Sequence, residues 1–450
     1  YRRSVQYKCG EITKVTKQLG FNFEFDRRYD DGWTNENYNN SEHWDNAVCF
    51  ELSDALLIKR PVEKLLIKQR VPSKSIAWGT IIRENIKRSS VAEYMQTDYL
   101  SSKTHNEMFD ESQYIQPNDN GVYLVFDLLR EECGFLEIEI EAENGTVLDI
   151  AYGEHLDNLR VNSKIASRNF ANRYIAKGGK QTFTHYFSRI AGRYIQINMF
   201  NVKVKTKIIY AGIVPTEYPV TERGNIIFDN WLHTEIYKTS VRTLRLCMHE
   251  HYEDCPWREQ ALYAMDSRSQ ALFGYYCFGE YKFVKSSLIL LGDTLRADGF
   301  FNLTAPSNSK ITIPVFSMIW IVEVYEYILY SGDLEGGKDF LPIIENMLKK
   351  YLDMENGLAK MPFGKEYWHF YDWSAGMYGP IMEEIDKNRI DAPYNLFLCM
   401  ALKSAIKIYE FYGQEKVEYK ESLEVLIQAI KKEFWDNKKL LFYTYKSNGE

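Results

Sequence analysis

The chain has 450 residues, of which 45% are hydrophobic and 15% aromatic, with a formal net charge of −7. That apolar content is ample for real cores, and the length predicts about three domains of ordinary size. The mildly acidic balance, without a basic stripe or charged tail, speaks against capture of nucleic acid or of an anionic membrane.

The first residues, Tyr1-Arg-Arg-Ser-Val-Gln6, carry no apolar signal core, and no run of about 20 apolar residues follows, so no membrane span is expected. Seven cysteines, at 9, 49, 133, 247, 255, 277 and 399, form an odd, scattered set without C-x-x-C spacing. Such a set argues against a disulfide framework and against a zinc site, and makes a reducing cytoplasm the expected compartment. The absence of an initial methionine leaves room for an upstream leader.

Residues 1–110, with Trp44 and the stretch Leu56 to Pro61, suit a β-rich N-terminal domain. From 112 to 213 the pattern has a period of two, in Gly121–Asp127, Leu136–Glu141 and Tyr194–Phe200, with Asn144-Gly145 and Gly178-Gly179 as turn signals. Short strands with frequent turns predict a β-sandwich there. The connector Val214-Pro-Thr-Glu-Tyr-Pro-Val220 breaks the pattern. Amphipathic segments then predict helices at 226–247, 256–278, 280–291, 314–331, 339–354, 392–412 and 418–435, joined mostly by short links that favour antiparallel hairpins. The expected fold class is therefore multidomain, all-β followed by all-α over 214–450. Longer links at 293–312 and 355–390 hold Phe300, Phe301, Trp368, His369, Tyr371, Asp372 and Trp373, and long loops in compact domains are commonly functional.

The segment His251-Tyr-Glu-Asp-Cys-Pro-Trp-Arg-Glu-Gln-Ala-Leu-Tyr-Ala-Met-Asp266 concentrates carboxylates, an arginine and aromatics. Pro256 is tolerated in a first helical turn, and Asp254 before it suits a cap or a cleft. A helix from that point would align Glu259, Tyr263, Asp266 and Gln270 on one stripe. Trp257, Leu262, Met265, Phe273 and Tyr276 make the segment too apolar for a solvated helix, so some of its acids should sit in a partly buried polar pocket. Two arrangements satisfy that: an ion-pair network with Arg258 and Arg268, or an active site. His249 and His251, two residues apart, would face away from each other on a helix, and no third ligand is evident, so no metal is expected.

Asp254-Cys-Pro-Trp-Arg258-Glu259, with Tyr263 and Asp266 following at fixed offsets, resembles the signature of bacterial alpha-L-rhamnosidases of glycoside hydrolase family 78. Phe135, Asn144-Gly145, Tyr152-Gly-Glu154 and Gly192-Arg-Tyr194 are similar to landmarks of the family's β-sandwich, and Tyr330-Ser-Gly-Asp333 and Asp372-Trp373 to landmarks of its helical domain. The resemblance implies an (α/α)6 barrel and single-step inverting removal of terminal alpha-L-rhamnose from a glycoside or polysaccharide. It assigns Glu259 as general acid, Asp254 and Asp266 as contacts to the rhamnose ring and Arg258 as a further sugar contact. Tyr263 stands where many members have tryptophan, so stacking on the sugar should differ.

In the same frame Trp373 would pack a sugar face and Asp372 orient a hydroxyl, with helix packing the alternative for the tryptophan. Trp320 suits core packing. About seven helices are fewer than twelve, so the barrel is expected to be incomplete at residue 450 and the general base to fall beyond it. Glu383 and Glu384 read as an exposed charge run and are assigned no role. A general acid must keep its proton near neutral pH, which burial and nearby carboxylates favour and a paired arginine opposes. No organic cofactor is needed, and no D-x-D-x-D-G loop demands calcium. Two other readings stay open: a non-catalytic carbohydrate-binding protein, and a six-hairpin glycosidase acting on a different sugar. The aglycone and the oligomeric state are not legible.

Overall fold

The structure is a computed structural model that describes residues 7, 14–30, 32, 36–38, 48–50, 58–101 and 115–447. Trp44, Leu56 and Leu57 lie outside the described residues. The chain divides into two compact units, one comprising Tyr1–Lys59, Lys64–Tyr218 and Cys255–Gln260, the other Arg60–Glu63, Pro219–Asp254 and Ala261–Glu450.

The principal strands of the first unit are β1 (Glu24–Asp26), β2 (Lys74–Ile82), β3 (Val122–Ala142), β4 (Val147–Gly153), β5 (Lys164–Ile165), β6 (Arg168–Asn169), β7 (Ala171–Ile175), β8 (Gly179–Thr184), β9 (Ile190–Phe200) and β10 (Lys207–Glu217). A short helix, α1 (Val91–Thr97), accompanies them. All but the separate β5–β6 hairpin join one ten-stranded hydrogen-bonded sheet.

Strand β3 organises that sheet by changing neighbours along its length. Residues 122–127 pair with β9 on one side and β2 on the other, β9 continues to 132–134, and 134–142 pair with β8 and β10. The change falls beside Leu129, whose φ of 69° is costly for a leucine and breaks the extended run. Asp127 Oδ1 accepts the Leu129 N–H at 2.7 Å, and Arg193 of β9 donates two bonds of 2.8 Å to the Asp127 carboxylate. The bend lets one strand serve two arms. Those arms pack face to face: Phe183 of β8 stacks on Phe25 of β1 at 4.5 Å and lies 5.0 Å from Tyr174 of β7, although β1 and β7 stand at the far end of the strand order. This is the expected β-sandwich, and β1 and β2, from the N-terminal part of the chain, are strands of it.

The second unit holds α2 (Trp231–Leu246), α3 (Ala264–Cys277), α4 (Lys282–Gly292), α5 (Pro314–Ser331), α6 (Leu334–Gly337), α7 (Leu341–Tyr351), α8 (Ala392–Phe411) and α9 (Val417–Phe434). Asn230 caps α2 by accepting the Leu232 N–H at 2.8 Å. Proline opens α5, and Gly332 ends it at a φ of 69°. Helix α5 is apolar all round, is buried continuously from Pro314 to Val324, and packs on both α3 and α8, as the central helix of a helical layer must. Trp320 lies within it, fully buried, and its Nε1 donates to the Leu288 carbonyl. No described helix is long and apolar enough to cross a membrane.

Two helix expectations need correction. The segment 226–247 becomes helical only at Trp231, after the Asn230 cap. The segment 256–278 becomes helical only at Ala264, because residues 256–259 form a turn and Gln260 adopts a φ of 49°. His249 and His251 also lie beyond the end of α2 rather than on a helix.

Candidate functional site

The signature segment is a closed loop rather than a helical stripe. Asp254 donates its amide to the Ala261 carbonyl at 2.9 Å and accepts the Ala261 N–H on Oδ1 at 3.0 Å. Its carboxylate thus closes the loop at its neck instead of capping a helix. Within the loop, Gln260 Nε2 donates to the Pro256 carbonyl at 2.7 Å, and Gln270 of α3 ties the preceding Glu253 carbonyl at 2.7 Å.

Cys255–Gln260 belongs to the sheet-rich unit. Trp257 is 2% exposed, its ring 4.7 Å from Phe170 and edge-on to His155 at 5.9 Å. Gly153 provides its seat, since a Cβ there would stand 3.1 Å from the indole. The Tyr152-Gly-Glu154 landmark therefore has a packing role. Gly192 backs it from β9, where a Cβ would come 2.7 Å from the Gly153 carbonyl oxygen. Glu259, half-buried, accepts a hydrogen bond from Arg168 Nη2 at 2.9 Å. Arg258 is exposed and pairs with no carboxylate among the described residues. Arg268 pairs through two bonds with Glu326, so the sequence-level alternative of a network between these two arginines and the signature acids does not form.

In the helical unit, Tyr263 and Asp266 enter the first turn of α3. Tyr263 leads into a chain of rings. Its centroid lies 6.4 Å from Phe316 of α5, Phe316 lies 6.2 Å from Phe370, and Phe370 lies 4.8 Å from Trp373. Trp368 and Tyr378 flank Trp373, each at 5.9 Å. Two residues 110 positions apart in the sequence, Tyr263 and Trp373, are thus joined through one chain of packed rings. Trp373 is 71% exposed at its end, an arrangement suited to stacking on a ring rather than to core packing. Asp372 spends both oxygens on its own turn, accepting from the Trp373 amide at 2.7 Å and from Ser374 Oγ at 3.3 Å. Glu383 and Glu384 are exposed in a loop.

The long loops that carry these rings are zipped together. Thr312 donates its amide to the Glu366 carbonyl and accepts from the Trp368 amide, both at 2.8 Å, and Tyr367 donates its hydroxyl to Asp298 at 2.8 Å.

Three features escaped sequence reading. Phe316 and Phe370 looked like ordinary apolar residues, and only their juxtaposition gives them meaning. Arg168 sits on a two-residue hairpin without any motif. Glu323, on α5, is fully buried; desolvation pushes its carboxyl up to about 8, and Ser267 Oγ of α3 donates to Oε2 at 3.1 Å. A glutamate within an apolar helix pattern was the available signal. His249, also fully buried, meets Glu253 at 3.1 Å. No cluster of three potential metal ligands occurs among the described residues.

A bent sandwich, paired helices and this signature are the parts of a six-hairpin glycosidase chain. The bacterial alpha-L-rhamnosidase 6 hairpin glycosidase domain matches residues 222–449, half of the chain, and the bacterial alpha-L-rhamnosidase concanavalin-like domain matches residues 118–214. The chain belongs to the bacterial alpha-L-rhamnosidase family.

An alpha-L-rhamnosidase of Formosa agariphila is 24% identical over 279 residues, which is 56% of this chain and 29% of that protein. The GH78 family rhamnosidase of Bacillus sp. GL1 aligns at a TM-score of 0.67 and 26% identity, covering 74% of this chain and 34% of that one. The rhamnosidase of Klebsiella oxytoca with rhamnose bound aligns at 0.60 and 16% identity, covering 85% and 76%, and speaks for the fold alone. The chain spans about a third of the length of the Formosa and Bacillus proteins.

Proposed function

We propose that the protein is a glycoside hydrolase that removes terminal alpha-L-rhamnose from a glycoside or polysaccharide with inversion at the anomeric carbon. Glu259 protonates the glycosidic oxygen as its bond to the anomeric carbon breaks. Water bonds to that carbon from the opposite face and gives its proton to a second carboxylate, as inverting glycosidases require. We assign that second role to no residue of this chain. Asp254, Arg258 and Asp266 hold the rhamnose ring, and Tyr263, Asp372 and Trp373 extend the sugar surface. The reading needs no organic cofactor or metal. The six described cysteines form no disulfide with one another, which supports a reducing compartment such as the cytoplasm.

The observation that carries the reading is the mounting of Glu259 itself. An acid that delivers a proton must be held to within a fraction of an ångström. Glu259 lies on a loop closed at its neck by two hydrogen bonds and beside a buried tryptophan. The test is release of nitrophenol from nitrophenyl alpha-L-rhamnoside by this chain, by the full-length protein and by full-length Glu259→Gln. Proton NMR of the first-formed sugar identifies its anomer. Activity lost in the mutant, with the inverted anomer released, is expected. A full-length protein inactive on the rhamnoside would overturn the reading.

A further inference from the structure

Arg168 stands on a purpose-built mount. The β5–β6 hairpin turns through Ala166, at a φ of 52°, and its flanks are tied to other parts of the sheet-rich unit. Lys164 Nζ meets Glu93 of α1 at 3.1 Å, Ser163 Oγ donates to the Ala92 carbonyl at 2.8 Å, and Ser90 Oγ donates to Asn169 Oδ1 at 2.8 Å. Asn169 Nδ2 in turn donates to the Lys14 carbonyl at 2.9 Å. Arg168 and Phe170 follow with the spacing of two that places side chains on one side of an extended segment. They meet Glu259 and Trp257, which are also two residues apart: Arg168 bonds the carboxylate at 2.9 Å and Phe170 packs on the indole at 4.7 Å. The signature loop is thus docked at two points onto one rigid segment.

The ion pair differs from the chain's forked ones and shares the single-bond form of Arg70 on Glu139 and Arg130 on Glu132. Arg173 on Asp149, Arg193 on Asp127 and Arg389 on Asp391 each use two N–H groups in a planar fork. Arg168 gives Glu259 a single Nη2–H, and its guanidinium has no other partner among the described residues. A fork fixes both oxygens of a carboxylate, whereas the single bond from Arg168 fixes one oxygen of Glu259.

We propose that Arg168 is a positioning residue for proton delivery, holding Glu259 toward the leaving-group oxygen and compensating the negative charge that Glu259 acquires once its proton has gone. The proposal rests on the reading of Glu259 as the general acid. Protonation matters for a poor leaving group, such as an alkyl alcohol, and hardly at all for dinitrophenolate, which departs as a stable anion. Loss of Arg168 therefore acts on one substrate class and spares the other.

The test compares the full-length protein with its Arg168→Gln, Arg168→Lys and Glu259→Gln variants on an alkyl and a 2,4-dinitrophenyl alpha-L-rhamnoside. Arg168→Gln is expected to lower kcat on the alkyl rhamnoside by about 10- to 100-fold, with KM little changed and the dinitrophenyl substrate within about twofold, and Arg168→Lys to recover part of the loss. Equal losses on both substrates would mean that Arg168 only supports the fold and would overturn the proposal, as would no loss on either. If Glu259→Gln itself shows no dependence on the leaving group, the assignment of the acid fails, and the proposal with it.

Discussion

Asp254 and Ala261 are joined by two hydrogen bonds, one from backbone to backbone and one from backbone to carboxylate, so a single aspartate closes the loop that carries Glu259. Stability and sugar binding should therefore separate at this position. Asp254→Asn keeps an acceptor for the Ala261 N–H and should melt close to the parent. Asp254→Ala leaves that amide unpaired and should cost about 1–3 kcal/mol. Both should lose turnover on the rhamnoside, because neither offers the ring a carboxylate. Thermal melts alongside kcat/KM check the split, and an active Asp254→Asn would remove the sugar-binding role.

Trp257 is buried against Phe170 over the bare backbone of Gly153. Trp257→Ala should destabilise the sheet-rich unit by about 3–5 kcal/mol, the usual cost of truncating a buried large aromatic. Chemical denaturation followed through that unit measures the change. A loss below about 1 kcal/mol would mean that the loop is not held by its tryptophan.

Glu323 gives stability a pH dependence of known sign. Its carboxyl is raised from an ordinary value of 4.5 to about 8 by burial, so the folded state keeps a proton that the unfolded chain releases. Between about pH 4.5 and 8 the folded protein binds more protons, and this group's contribution falls as pH rises through that window. Glu323→Gln keeps a neutral side chain at every pH. It should match the parent below about pH 4.5 and exceed it by a few kcal/mol at alkaline pH. Melting temperatures of the two proteins across this range decide the matter, and parallel curves would show that Glu323 is not protonated in the fold.

Trp373, largely exposed at the end of its ring chain, can be removed without opening a core. Trp373→Ala should leave the melting temperature within a degree or two and raise KM by about two- to tenfold, in line with about 0.5–1.5 kcal/mol of lost ring contact. Unchanged KM would confine its role to packing.

The sequence carried the order of layers. Alternation in Leu136–Glu141 and Tyr194–Phe200 found strands, and the largely apolar run from Pro314 found α5 at its true start, because period and proline are local signals. Helix α3 was misjudged at its start because Pro256, Glu259 and Asp266 satisfy a helical pattern equally well on paper. What decided against it was the Asp254–Ala261 pairing, across seven residues, together with the seat that Gly153 makes for Trp257 from a hundred residues away. Arg168 and Phe370 were illegible for the same reason: an arginine on a two-residue hairpin and a phenylalanine in a loop acquire partners only through the fold.

The bend at Leu129 reaches beyond architecture. Since β3 is the hydrogen-bonding partner of strands in both layers, neither layer possesses a complete set of backbone bonds without it. Amide hydrogens on the strands that pair with β3 in the two layers should accordingly exchange with similar protection, and hydrogen exchange followed residue by residue checks this.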